Sequence, residues 1–365
     1  MEETRKTGER HGALANGMHE DLPRQDHQEL VSLEGLMIGY RHGRKEQLLS
    51  GPLSCSAGGG ELIALMGRNG CGKSTLLRTV AGLQESLRGR VILQNRPLPD
   101  YSRRELSRLL GFVSTEVVRV QGLRVRDLVA MGRYPHTGWF GNLSENDYEQ
   151  IRHAMELTSM EPLADRDLDE LSDGERQRAM IARTLAQDTR IMVLDEPTAF
   201  LDVTHRYEIV SLLGDLSGNH GKTIVFSSHD LHLSIQVADK IWLMMGQDIL
   251  EGAPEDLVLS GKLEEGLLSD GAAAGFTLDP ATGDLVPARE PGQPVSVSAA
   301  SEELRLWTSR SLERMGFRPD GKMNVPLHVR VEGEKGMLKW ILEKSGSRME
   351  FNSIYELSLY LRTIV

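Results

Sequence analysis

The stretch ELIALMGRNGCGKSTLLRTVAGL, residues 61–83, restricts the fold more than any other part of this chain. A short apolar run enters a loop with three glycines. STLLRTVAGL (74–83) then places apolar residues at helical spacing and ends at Gly82 and Leu83. Strand, glycine loop and helix in that order open an α/β unit. The loop satisfies G-x-x-x-x-G-K-[ST] through Gly67, Gly72, Lys73 and Ser74. Glycine lets such a loop wind until its N–H groups point inward, and the helix that follows adds partial positive charge at its N-terminus. The loop therefore reads as a phosphate cradle. Gly67, Asn69, Gly70, Gly72, Lys73, Ser74 and Thr75 are its candidate contacts, with Lys73 reaching the outer phosphates and Ser74 offering its hydroxyl to Mg2+. A chance glycine-rich turn is the plain alternative; the strand before it and the helix after it argue against that.

A second apolar run, RIMVLDEP (190–197), reads as a buried strand that ends in two acids. Asp195 is placed to face a metal ion, and Glu196 to polarise an attacking water. Such a run alone is more often structural and gains its meaning from the phosphate loop upstream. KTIVFSSHD (222–230) is another buried strand, KIWLMMGQDILEGAP (240–254) a terminal hairpin, and the alternation in ELVSLEGLMIGY (29–40) a strand. Between these, RVRDLVAMGRYP, SENDYEQIRHAMELTSM and EPLADRDLDEL read as helices, with Ser144 and Asp147 as N-cap chemistry. A helical insertion, about 117–172, thus interrupts an α/β core over 29–260.

The balance of 42 basic against 53 acidic side chains, with no long basic block, argues against a nucleic-acid partner. Two cysteines, Cys55 and Cys71, suit a reducing compartment better than a disulfide framework. Residues 1–28 lack the apolar centre of a signal peptide and read as a disordered tail. No stretch approaches 18 consecutive apolar residues, so no membrane span is expected. Residues 287–303 are rich in Pro, Gly, Ser and Ala, and 261–300 is expected to be a linker. Residues 301–365 read as a small α+β unit: a helix in EELRLWTSRSLERMGF, a strand in PLHVRV, a hairpin turning at Gly346, and a last helix opened by Ser353 and Glu356. That unit has no cysteine and one histidine, His328, which argues against a transition-metal site. A stabilising or dimer-contacting appendage is the plain reading of it; a regulatory sensor is the sharper one.

The order of phosphate loop, LSDGE (171–175), LDEP (194–197) and a strand ending near His229 resembles the ATP-binding-cassette ATPases, over residues 29 to about 260. LSDGE is similar to the family signature Leu-Ser-Gly-Gly-Gln. The resemblance implies an α/β phosphate-loop ATPase core with a helical subdomain, joined here to the small C-terminal α+β unit. It also implies hydrolysis of ATP with Mg2+ and two copies packed head to tail around two nucleotides. Ser172 and Gly174 would then contact the γ-phosphate held by the other copy. AFLD (199–202) is similar to the loop that crosses the dimer interface, with Asp202 in its acidic position. His229 matches the histidine that senses the γ-phosphate. Tyr40, 27 residues before Gly67, is placed like the aromatic that stacks on adenine, a core-packing tyrosine being the alternative.

Two departures from the family pattern stand out. Asp173 puts a carboxylate where a phosphate is expected, which is unfavourable unless it points away or pairs with Arg176 or Arg178, while Glu175 in place of the glutamine is the milder change. Where the family has a metal-binding glutamine, this chain has Thr115 followed by Glu116, whose oxygens suit Mg2+. An active ATPase is still expected. The segments GRYPH and ADRDLDELSDGERQR resemble the importer branch for iron–siderophore complexes, haem and cobalamin. This implies a homodimer at the cytoplasmic face of the inner (plasma) membrane, docked on two transmembrane permease subunits, with a substrate-binding protein delivering cargo on the far side. Two alternatives remain at this point: a soluble cassette acting on nucleic acid or ribosomes, and a cassette that binds ATP with impaired hydrolysis.

Overall fold

The computed structural model describes residues 29–43, 45–115, 120–138, 140–268, 275–279, 282–288, 292–320, 325–333, 338–344 and 346–363. The expected tail, 1–28, and the candidate ligand Glu116 lie outside the described residues. The chain divides into two compact units, Met1–Leu267 and Leu268–Val365.

In the first unit, β1 (Glu29–His42) and β2 (Lys45–Gly58) lead to β3 (Leu62–Gly67), α1 (Lys73–Val80), β4 (Arg88–Leu93), β5 (Arg96–Pro97), α2 (Arg103–Leu109) and β6 (Leu110–Val113). The helical segment contributes α3 (Val125–Met131), α4 (Glu145–Leu157) and α5 (Asp173–Ala186). The core resumes with β7 (Ile191–Leu194), α6 (Val203–Gly218), β8 (Thr223–Ser227), α7 (Leu231–Val237), β9 (Lys240–Met245), β10 (Asp248–Gly252), α8 (Pro254–Leu259) and α9 (Lys262–Leu268).

Two sheets form. An antiparallel one runs β2-β1-β4-β5, and a six-stranded one runs β10-β9-β3-β8-β7-β6, parallel except for β10. The central parallel strands are covered on both faces, so they read as unbroken apolar runs: every residue of β3, β7 and β8 is buried. Leu65, with no exposed surface, sits in the middle of that layer; Leu65→Ala would cost about 2–5 kcal/mol. Because β3, β8 and β7 are neighbours, the loops that follow them open side by side at the carboxyl edge of the sheet. Open α/β sheets bind their ligands at that edge.

EPLADRDLDEL, expected as a helix, forms only two 3-10 turns, Glu161–Leu163 and Leu168–Glu170. The backbone groups of this stretch are engaged by Leu123 and the first turn of α3 instead. Val125 N–H donates to the Arg166 carbonyl, Arg126 N–H to Ala164 and Leu168 N–H to Leu123. No α-helical ladder can form over groups already spent in this way.

The second unit contains a small hairpin, β11 (Phe276–Leu278) with β12 (Leu285–Pro287), and then β13 (Gln293–Ala299), α10 (Glu302–Arg314), β14 (Phe317–Pro319), β15 (Leu327–Glu332), β16 (Lys339–Lys344), β17 (Ser347–Phe351) and α11 (Ile354–Leu361). Its sheet order is β14-β13-β15-β16-β17, with β13 parallel to both neighbours. Val295, Leu312, Phe317, Leu327, Val329, Leu342, Leu357 and Leu361 form a core of their own. The expectation of a linker over 261–300 is corrected here, since α9 and the interior strand β13 lie within it. PVSVSA alternates with period two, and its valines face the core; the Pro, Gly and Ser content hid that alternation.

Candidate nucleotide site

The phosphate loop has the backbone its sequence requires. Gly67, Gly70 and Gly72 have φ of 146°, 79° and 104°. A Cβ on Gly67 would lie 2.9 Å from the Met244 carbonyl oxygen and 3.0 Å from Cys71 Sγ, and one on Gly72 would lie 3.1 Å from Ile38 Cδ1. Only glycine fits that path. Gly72 stands at the N-cap of α1, and Asn69 and Gly70 are exposed at the loop's tip. Lys73 is buried, its ammonium donating to the Gly67 and Arg68 carbonyls at 2.9 and 3.2 Å. Thr75 Oγ1 lies 3.2 Å from the Tyr40 hydroxyl, which fixes the ring of Tyr40 on β1 beside α1 with 43% of the residue exposed. An exposed ring tied down at its hydroxyl suits a stacking platform better than a core tyrosine.

The two acids after β7 diverge in role. Asp195 is 1% exposed, and its Oδ1 accepts from Ser74 Oγ and from Ser227 Oγ, each at 2.9 Å. A hydroxyl and a carboxylate converging at the N-terminus of α1 are hard oxygen ligands of the kind Mg2+ takes. Glu196 holds φ of 48°, unusual for a side-chain-bearing residue, and Ser227 Oγ accepts its N–H at 2.8 Å. That turn aims the Glu196 carboxylate across to β8, where Oε1 lies 2.7 Å from His229 Nε2. Thr115 stands just beyond β6, whose Val113 carbonyl accepts the Asp195 N–H at 2.9 Å. The loop, Asp195, Glu196, His229 and Thr115 therefore gather at one edge.

Ser172, Gly174 and Asp202 form a second cluster, at the N-termini of α5 and α6. Ser172 caps α5 in a closed capping box with Glu175. Those bonds, from the Ser172 N–H first, hold the Glu175 carboxyl below the usual carboxylate range. Asp173 pairs with Arg176 at 2.7 Å, and Arg178 pairs with Glu208 on α6. Asp202 caps α6, accepting from the His205 N–H at 2.9 Å and lying 2.8 Å from His205 Nδ1. The His205 ring in turn covers Gly174, where a Cβ would lie 2.6 Å from Cδ2.

Comparison with known proteins matches this geometry to a family. Residues 51–199 match the family described as ABC transporter, and residues 292–362 match the iron ABC transporter C-terminal domain. The petrobactin import ATP-binding protein FpuD of Bacillus anthracis is 40% identical over 232 residues, 63% of this chain and 84% of that protein. The ferric enterobactin transport ATP-binding protein FepC of Escherichia coli is 39% identical over 206 residues, 56% of this chain and 76% of that protein. A solved dimeric ATP-binding cassette bound to ADP and Pi is 25% identical and has a TM-score of 0.54, covering 62% of this chain and 99% of that one. The chain belongs to the ABC transporter ATPase family.

As a cassette of this family the chain is an ATP-binding ATPase, and its relatives serve iron and siderophore import. No helix among the described residues is long and apolar enough to cross a membrane. In the cassette's helical segment, the arginine of GRYPH is the hub. Arg133 Nε donates to Asp147 Oδ1 at 2.8 Å and its Nη1 to the Ala186 carbonyl at 2.7 Å, both side chains of the ion pair being under a tenth exposed. This ties α3, α4 and α5 together.

Two residues near the cassette's site, Ser227 and His205, escaped the sequence reading, as did Arg133 in the helical segment. The spacing of Asp202 and His205, an N-cap and its third residue on, was the available signal for one of them. Ser227 has no local signal beyond being the first serine of SSHD, because its partners come from β7.

Proposed function

We propose that this cassette is the ATP-hydrolysing subunit of an importer for metal chelates of the iron–siderophore, haem or cobalamin type. It would work as a homodimer on two permease subunits at the cytoplasmic face of the inner (plasma) membrane, with a substrate-binding protein supplying cargo from the far side. The observation that carries this reading is the meeting of Ser74 with Asp195 and of Glu196 with His229 at the ends of adjacent strands. The siderophore relatives support the choice of cargo class.

Bound ATP supplies the phosphoanhydride bond, and Mg2+ would neutralise charge on its outer phosphates. Ser74 and Asp195 hold the metal on this reading, with Thr115 and Glu116 offering further oxygens. Lys73 exchanges the Gly67 and Arg68 carbonyls for phosphate oxygens. Tyr40 stacks on the base. Glu196 takes the proton of the attacking water. His229 orients that carboxylate and reaches the γ-phosphate. Ser172, Gly174 and Asp202 complete the site of the facing copy, with the N-terminal dipole of α5 directed at the phosphate.

Co-purification tests the reading. The tagged chain, solubilised from native membranes in mild detergent, should elute with a polytopic permease and release phosphate from ATP. Recovery in the soluble fraction with ribosomes or nucleic acid, and no permease, would overturn it.

A further inference from the structure

The N-terminus of α5 already holds an anion, and that anion belongs to the same chain. Glu175 Oε2 accepts from the Ser172 N–H at 2.8 Å and from the Ser172 hydroxyl at 2.9 Å. The Glu175 N–H donates back to Ser172 Oγ at 3.3 Å. Ser172 is the residue that the proposed sandwich directs to the γ-phosphate of the facing copy. We infer that Glu175 is a built-in competitor for that phosphate: its carboxylate occupies the Ser172 donors in the open chain and must release them before ATP can close the dimer. The inference rests on the sandwich reading of Ser172.

The surroundings single out Glu175 among the acids present. Asp173 is drawn aside by Arg176, which also donates to the Leu171 carbonyl at 2.8 Å. Gly174 is backed by the His205 ring, which would lie 2.6 Å from a Cβ there. The exchange is left to rotation of the Glu175 side chain. A glutamine would keep the shape and one acceptor oxygen while removing the charge. Hydrogen bonds to charged acceptors exceed those to neutral ones by enough to change an equilibrium about five- to tenfold.

The test uses the full chain carrying Glu196→Gln, which on the proposed mechanism closes on ATP without hydrolysing it. Dimer formation is followed by light scattering against ATP concentration, with and without a second change, Glu175→Gln. Binding of a fluorescent ATP analogue at low protein concentration reports the monomer's own site. Glu175→Gln should lower the ATP concentration for half-maximal dimerisation about five- to tenfold and leave monomer binding unchanged. A midpoint that stays put or rises overturns the competitor and makes Glu175 a helix cap only. Should the Glu196→Gln chain bind ATP and stay monomeric, the sandwich reading fails and takes the competitor with it.

Discussion

Single residues at the strand ends divide the chemistry between them, and each division can be measured. Glu196→Gln removes the proton acceptor without changing shape, so phosphate release should fall about 10²–10⁴-fold while ATP binding persists. Lys73→Ala should instead weaken nucleotide binding itself, read by equilibrium titration. Ser227→Ala strips Asp195 of one donor and leaves the Glu196 N–H without its acceptor, a loss of about 1–3 kcal/mol. It should lower turnover more than ATP affinity, because it disturbs the placement of both acids and leaves Lys73 alone. The phosphate loop, the acid pair and the histidine were legible because each motif is contiguous and its chemistry is local. Ser227 was not, since its contacts to Asp195 and Glu196 cross from one strand to the next. The two acids of LSDGE were legible as an anomaly, with Arg176 and Arg178 as alternative partners for Asp173. Geometry was needed to show that Asp173 goes to Arg176 and Glu175 to Ser172.

Among the elements, the α3–α4–α5 bundle depends on one buried ion pair. The Asp147 carboxyl is lowered to about 2, by the Ser144 hydroxyl first and then by burial-resisting bonds that include Arg133. Its folded value lies below the ordinary 3.8, so the stabilisation is complete above about pH 4 and is lost as pH falls from there through about 2. The loss should amount to roughly 2 kcal/mol, visible as a falling urea midpoint in that window. Asp147→Asn should cost at least about 2 kcal/mol at neutral pH by removing the counter-charge of Arg133, and its midpoint should vary less between pH 4 and 2. The Ser144–Asp147 cap was readable from a four-residue window. The rest of the hub was hidden, because the Arg133 bond to Ala186 spans 53 positions. β13 was missed for a different reason: proline and serine suggested a linker, yet an interior strand tolerates Pro294 near its start and presents its serines to the face away from the helices.

Each unit has a hydrophobic core among the described residues, and that of the second unit is the smaller. A unit of that size buries too little surface to match the first in stability. Calorimetry should therefore show two transitions, and deleting 292–365 should abolish the lower one while ATP hydrolysis by the remainder persists. Retention of both transitions after deletion would mean that the first unit itself unfolds in steps. One feature of the larger unit also bears on how the protein is made. β3, which carries the phosphate loop, is held on one side by β8 and on the other by β9, so Ile63 pairs with Val225 and Lys240. A ribosome adding roughly 5–20 residues per second needs about 10–35 s to travel from the loop to its second supporting strand. Until β8 emerges the nascent chain displays a glycine-rich loop with no parallel strand beside β3, and until β9 emerges that support is one-sided. ATP affinity is thus a late property of synthesis: arrested chains that expose residues only through α6 should fail to retain nucleotide, and those that expose β9 should be the first to hold it.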